Sequence, residues 1–210
     1  MDANLAAIVE KRIDKTIGNL QNNKMEAYYV KTAAEVVPLV EELCAEGETI
    51  TVGGSMTLFE CGVIEHLKSG RYHYLDRYAK GADMQEIFRQ AFTCDTYIMS
   101  SNAITENGEL YNVDGNGNRI AALAFGPKSV IVIAGYNKLV PDLEAARQRV
   151  RDTAAPANAV RLDRKTPCKV LGACRDCRSD ERLCSIYSVM AQQSKKGRIK
   201  VILVGEQLGY

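Results

Sequence analysis

The sequence lacks any apolar run approaching the roughly 20 residues that a membrane-spanning helix needs, so no segment is expected to cross a bilayer. Its opening, MDANLAAIVEKRIDK, places acidic and basic side chains where a secretory leader would need an apolar stretch. A cytoplasmic protein is the expectation. An excess of one charge is also missing. The 27 Lys and Arg face 26 Asp and Glu, a formal net charge of +1, which leaves no global field to attract nucleic acid or anionic lipid. The ten tyrosines are not regularly interleaved with basic residues, so a nucleic-acid face is not expected either. Histidine is reduced to His66 and His73, in no ligand spacing. No Walker A lysine and no G-x-G-x-x-G fingerprint accompanies a strand-to-helix turn, so neither NAD nor flavin is expected.

What is present is enough for one folded domain. The chain has 210 residues, 46% hydrophobic and 25% charged, which excludes a disordered protein and allows a substantial core. Leu5, Ile8, Val9, Ile13, Ile17 and Leu20 recur at spacings of mostly three and four, an amphipathic helix ended by Asn22-Asn23. Thr32 and Glu35 are spaced as a capping box for a helix to about Ala45, with Pro38 in its second turn. ETITVGG reads as a strand entering a glycine turn, and SMTLFECGVIEHLKS as the helix after it. YHYLD, DTYIMSSNAIT and ELYNVD read as strands. ADMQEIFRQAF and GNRIAALAF read as helices. KSVIVIAGYN is a continuous β-branched run, apolar on both faces, and therefore an interior strand. Pro141 introduces a helix from Asp142 to about Ala155, and KVILVGE is a last strand. Alternating strands and helices predict a mostly parallel sheet covered on both faces. The organisation is an α/β domain over residues 1–165, a cysteine-rich loop over 166–185 packed on it, and a helix and strand over 186–210 completing it.

Three constellations carry chemistry. In TVGGSMT, Gly53, Gly54, Ser55 and Thr57 sit where a strand turns into a helix, so backbone N–H groups and hydroxyls can converge on an anion. The same residues also suit an ordinary turn capped by Ser55. In SNAITENGELYNVDGNGNR, Asn107-Gly108 between two strands is a hairpin signal. Glu106 then stands at the lip of a sheet, while Asp114, Asn118 and Arg119 crowd a glycine-rich loop, although Asn, Asp and Gly are also what plain turns prefer. All three segments follow strands, so Gly53–Thr57, Glu106 and the 114–119 loop are expected around one pocket beyond the strands' carboxyl ends.

The third constellation is TPCKVLGACRDCRSDERLC. Cys168, Cys174, Cys177 and Cys184 are four of the chain's seven cysteines, and the x2 spacing of Cys174 and Cys177 lets two thiolates share one metal. Zinc and a [4Fe–4S] cluster are equally compatible with a four-thiolate set; redox thiols or a disulfide, and structural cysteines, are the alternatives. Little apolar content is available to order this loop, so a metal would supply the ordering free energy. Cys44, Cys61 and Cys94 lie in apolar surroundings and read as buried small hydrophobes.

The stretches GGSMTL, SNAITENGELYNVDGNGNR, GPKSVIVIAGYNKLV and AAPANAVRL resemble the lactate-utilisation (LUD) domain family over roughly residues 3–185. The resemblance implies a three-layer αβα sandwich like that of the sugar-phosphate isomerases and class I CoA transferases. Gly53, Gly54, Ser55 and Thr57 echo the isomerases' phosphate loop with one residue inserted. Thr105-Glu106-Asn107-Gly108 echoes the transferases' Ser-Glu-Asn-Gly turn with Thr in place of Ser, which would make Glu106 a nucleophile; a general base or ligand-orienting carboxylate and a plain hydrogen-bonding turn residue are the other roles open to it. As to function, the resemblance implies an accessory subunit for oxidation of lactate or a related small hydroxy acid, binding a small anionic metabolite and iron–sulfur partner subunits, with homo-oligomerisation open. The alternative is a self-sufficient enzyme acting on a CoA ester or phosphometabolite through Glu106.

Overall fold

A computed structural model describes residues 2–210. The chain runs α1 (Ala3–Asn22), β1 (Glu26–Val30), α2 (Val36–Leu43), β2 (Thr49–Val52), α3 (Met56–Glu60), α4 (Val63–Leu67), β3 (His73–Tyr74) and α5 (Met84–Gln90). It continues β4 (Thr96–Met99), β5 (Ala103–Thr105), β6 (Leu110–Asp114), α6 (Asn118–Phe125), β7 (Ser129–Gly135) and β8 (Leu139–Val140). It ends with α7 (Leu143–Arg149), α8 (Ala155–Arg161), α9 (Pro167–Leu171), β9 (Ile186–Met190) and β10 (Ile199–Val204).

The β-branched run becomes β7, the middle of a six-stranded sheet ordered β1-β10-β7-β4-β2-β3 in which every pair is parallel. Its alternation divides the two cores. Val130, Val132 and Ala134 pack with Val9, Ile13 and Leu20 of α1 and Ala122 and Leu123 of α6. Ile131 and Ile133 face Val36 and Val40 of α2, Leu58 of α3, and Val63, Ile64 and Leu67 of α4. Each such aliphatic side chain contributes about 1.5–3 kcal/mol by leaving water. Helix, sheet and helix form the three expected layers. Cys44, Cys61 and Cys94 are buried in these cores, and burial pushes their thiols up to about 12, 11 and 11.

A second sheet, β8-β5-β6-β9, was not anticipated. The expected strand DTYIMSSNAIT divides at Ser100–Asn102, so that β4 joins the large sheet and β5 the small one. Side chains hold that break: Ser101 Oγ donates to the carbonyls of Ala103 and Tyr111, and Asn102 Oδ1 accepts from Val113 N. The hairpin at Asn107-Gly108 forms as expected, with Gly108 at φ +80° and its N–H bonded to Thr105 O. A Cβ on Gly108 would come within 2.6 Å of Leu20 N, so the turn seats directly on the backbone of α1.

Other boundaries moved for local reasons. EAYYV forms edge strand β1, which shows no burial alternation for a sequence pattern to reveal. The helix expected over 55–69 breaks into α3 and α4 at Gly62, φ +75°. Glu35 accepts from Thr32 N, but the box opens a single 3-10 turn; Pro38 then falls in the first turn of α2, where no intrahelical N–H is missed. The helix after Asp142 continues to Arg161 through a π-turn at Val150–Ala154, next to Pro156, which cannot donate to the preceding turn. Residues 186–210 contain β9 and β10 and no helix, correcting the expected helix and strand. None of the helices among the described residues is long and apolar enough to cross a membrane.

Candidate active site at the carboxyl ends of the parallel strands

Parallel pairing brings the carboxyl ends of β2, β3, β4 and β7 to one edge of the sheet. The residues just beyond them, Gly54 and Ser55, Arg77, Ser100 and Lys138, line a cavity of about 580 Å³. Asp114, Asn118 and Arg119 line it too, as do Arg161 and Arg164 from the end of α8 onward and Asp180–Leu183 from the cysteine-rich loop. Six of the lining side chains are basic (Arg77, Arg119, Lys138, Arg161, Arg164, Arg182) against three acidic ones (Asp114, Asp180, Glu181). The cavity is therefore cationic in a chain that is nearly neutral, and it favours an anion.

Arg119 is the hub of the floor. Nε donates to Asp114 Oδ1 at 3.0 Å, Nη1 to Ser100 O at 2.9 Å and Asn112 Oδ1 at 2.5 Å, and Nη2 to Asn102 Oδ1 at 2.6 Å and Val113 O at 3.0 Å. Asp114 also accepts from Ile120 N. With its donors committed to the protein, Arg119 supplies positive field and holds β4, β6 and α6 together. Arg77 is less committed. Nη1 reaches Val52 O at 3.4 Å, the guanidinium lies 5.2 Å and 5.5 Å from the ring centroids of Phe88 and Tyr78, and Nε is buried without a hydrogen-bond partner. A cation resting on aromatic faces keeps donors for a ligand.

Lys138, with Arg77 and Ser100, is among the cavity residues that sequence reasoning missed. It is 2% exposed, yet among the described residues no carboxylate pairs with it; Nζ bonds to Thr57 Oγ1 at 2.7 Å and Ser100 Oγ at 2.8 Å. Burial is the main force that pushes its pKa down to about 7, and the charges of Arg149 and Arg119 push the same way. Arg149 stands behind it, bonded to Asn137 O and Asn102 O and pushed down to about 10 by burial. The signal that marks Lys138 is positional. It follows the most apolar strand of the sheet, at the edge where open α/β folds bind ligands.

The expected TVGGSMT residues play separate roles. Gly54 and Ser55 border the cavity, and a Cβ on Gly54 would lie 3.5 Å from Arg77 Nη2. Gly53 packs beneath it, with Tyr97 Oη 3.0 Å and Arg119 Cδ 3.2 Å from a Cβ placed there. Thr57 is buried, donating to Leu208 O at 3.3 Å while accepting from Lys138. Ser55 makes no side-chain cap, and α3 has only five residues, too short to add a dipole attraction for an anion.

Glu106 and Asn107 lie outside this group, so the expected single pocket does not include them. Glu106 accepts from Arg12 Nε at 2.7 Å and Lys15 Nζ at 3.0 Å, and these two cations hold its carboxyl below the usual range. Its backbone carbonyl accepts from Asn19, and that of Asn107 from Asn23. The turn is a clamp on α1, and none of its residues lines the cavity.

Among the described residues, no group of three or more His, Cys, Asp or Glu side chains is placed to hold a metal ion. The donor chemistry of Cys168, Cys174, Cys177 and Cys184 suits zinc or a cluster, but the expected convergence is absent. Cys168 lies 3.3 Å from Thr166 Oγ1, Cys174 Sγ accepts from Asp176 N, and Cys184 packs against the core of the small sheet. The loop is ordered by polar tethers instead. Arg151 grips Asp176 through two bonds, Ser179 Oγ donates to Lys165 O, Arg182 donates to the carbonyls of Cys177 and Cys184, and Ser185 N donates to Asp114 O.

The family model of the LUD domain matches residues 13–204. The chain belongs to the LUD domain family. Among solved structures, a DUF162 family protein from Deinococcus radiodurans is similar at 13% identity and a TM-score of 0.52, covering 95% of this chain and 98% of its own. At that identity the likeness bears on the fold of this LUD protein alone. Weaker, partial likenesses are to a variant of the decarboxylase AibA/AibB (15% identity, 54% of this chain and 65% of the other, TM-score 0.40) and to eIF2B beta from Chaetomium thermophilum (15%, 56% and 43%, 0.41). No curated protein matches the sequence. Family membership makes this a lactate-utilisation-related protein.

Proposed function

We propose that this LUD protein binds a small anionic metabolite, a 2-hydroxy carboxylate or its 2-oxo counterpart, in the cationic cavity, as an accessory subunit in oxidation of lactate or a related hydroxy acid. The observation that carries the reading is the six-to-three excess of basic side chains around one cavity at the strands' carboxyl ends, with Arg77 holding uncommitted donors. A carboxylate meets a bidentate partner in a guanidinium, and the Ser55 hydroxyl at the rim suits a 2-hydroxyl or 2-oxo group. Electron transfer falls to iron–sulfur partner subunits in this proposal. Titration calorimetry with lactate, glycolate and pyruvate, against acetate and a neutral ester of lactate, tests it. Binding of the acids that weakens with added salt supports the reading; equal binding of the neutral ester contradicts it.

The cysteine-rich loop forms one wall of the cavity through Asp180–Leu183. Zinc or a [4Fe–4S] cluster there would require the four thiols to move together and the Arg151–Asp176 tether to yield. Anaerobic iron, sulfide and zinc analysis of wild type against Cys174→Ser/Cys177→Ser tests this part separately. The Glu106 reading gains no support from a carboxylate already engaged by two cations outside the cavity.

A further inference from the structure

Lys138 is a buried amine that ligand binding alone does not require. A lysine intended to attract an anion would do so better from the rim, fully charged, than from a floor where it is 2% exposed and faces two hydroxyls. Bookkeeping of hydrogen bonds separates those hydroxyls. Thr57 Oγ1 has an acceptor in Leu208 O, so it receives a bond from Nζ. Ser100 Oγ has no comparable acceptor, because the carbonyl of the adjacent Ser101 stands 3.5 Å away, at the limit of a useful bond. When the amine is neutral, its lone pair 2.8 Å away is the natural acceptor for the Ser100 proton.

From this geometry we infer that Ser100 and Lys138 form a nucleophile–base pair that transfers or hydrolyses an acyl group of an anionic ester or thioester bound in the cavity. The inference goes beyond ligand binding and uses the cavity without depending on which anion occupies it. Ser100 Oγ attacks the acyl carbonyl carbon while its proton passes to Lys138 Nζ. The tetrahedral adduct collapses with cleavage of the bond to the leaving thiolate or alkoxide, which takes the proton back from Nζ. Water then attacks the seryl ester, giving its proton to Nζ, and Ser100 Oγ recovers that proton as the free acid departs. No oxidant or reductant is consumed. Thr57 holds Nζ in place, and Arg119, whose Nη1 lies 2.9 Å from Ser100 O, contributes positive field while the oxyanion exists. A buried amine whose pKa is brought down to about 7 by desolvation and by Arg149 and Arg119 suits this work. Of the charged groups around it, Glu60 opposes that shift. The carboxylate of Glu60 is itself engaged by Gly209 N at 2.6 Å.

The test uses the full chain and phenylmethylsulfonyl fluoride, which needs an activated serine and no knowledge of the substrate. Serine oxygen displaces fluoride from sulfur and the proton leaves through Lys138. Peptide mass mapping is expected to place the adduct on Ser100, with a labelling rate that rises through about pH 7 and falls about 100-fold or more in Lys138→Met and in Lys138→Arg, which keeps its charge. No adduct on Ser100 of the folded wild type, or a rate in both variants equal to that of wild type, overturns the pair. Should the variants fail to fold, the wild-type profile decides: a labelling rate flat from about pH 6 to 9 contradicts a lysine base of this kind. Calorimetry with the hydroxy acids is independent of this outcome, so failure of the dyad and failure of the anion reading are told apart.

Discussion

Two charged residues stand just beyond strands of this fold, and they differ in what surrounds them. Glu106, after β5, is met by Arg12 and Lys15. Lys138, beyond the end of β7, is met by two hydroxyls and has Arg119 and Arg149 for neighbours. The first charge is compensated, so its turn is a fastening between α1 and the small sheet. The second is desolvated and uncompensated, an arrangement that costs stability and persists only where the surrounding structure fixes it. A motif resemblance singled out the first. Chemistry follows the second.

The largest effect expected is from Arg119→Ala. It removes a guanidinium from five acceptors and leaves Asp114 7% exposed without its partner, a loss of about 3–5 kcal/mol by urea denaturation. A loss below about 1 kcal/mol would show the hub to be dispensable.

Next is Lys138→Met, which sharpens the contrast through pH. The folded amine titrates near 7 and an unfolded lysine near 10.5, so below about pH 7 folding must bury a charge or shed a proton. That penalty is full below the folded value and fades as pH rises toward the unfolded one. Lys138→Met should therefore raise the thermal midpoint at about pH 6 more than at about pH 9.5; an equal shift at both breaks the account of an uncompensated amine.

Gly108→Ala probes the fastening. A φ of +80° and a contact of 2.6 Å with α1 backbone predict a loss of more than about 1 kcal/mol. The smallest effect is that of Glu106→Gln, about 1 kcal/mol at neutral pH. Because Lys15 and Arg12 lower the carboxyl's pKa, that contribution is present above the ordinary carboxylate range and is lost as pH falls through the folded value. The variant and wild type should converge in acid, and a gap that persists there would point to packing instead of charge.

The sequence carried the frame of the fold because its signals were local. The run at β7, the glycines after β2, the Asn-Gly hairpin and the helical period of α1 each depend on near neighbours. The small sheet was illegible because β5 and β8 are three and two residues long and pair across 35 positions of chain. Charge environment was illegible for the same reason. The cations on Glu106 come from 91 and 94 residues away, and Lys138 is set apart from a surface lysine only by its place after the apolar run of β7. The 114–119 loop borders the cavity, but Arg119 turns inward because its acceptors lie on two stretches, 100–102 and 112–114. Four clustered cysteines suggested a metal, whereas arginines from α7–α8 and from the loop itself hold that segment.

The central claim is that the cationic cavity, and not the Glu106 turn, is the working site. Calorimetric titration of one 2-hydroxy or 2-oxo acid into wild type, Arg77→Ala and Glu106→Gln tests it directly. The account predicts binding about tenfold or more weaker in Arg77→Ala, the loss of one charge-assisted contact, and unchanged within about twofold in Glu106→Gln. Binding abolished by Glu106→Gln and untouched by Arg77→Ala would contradict it.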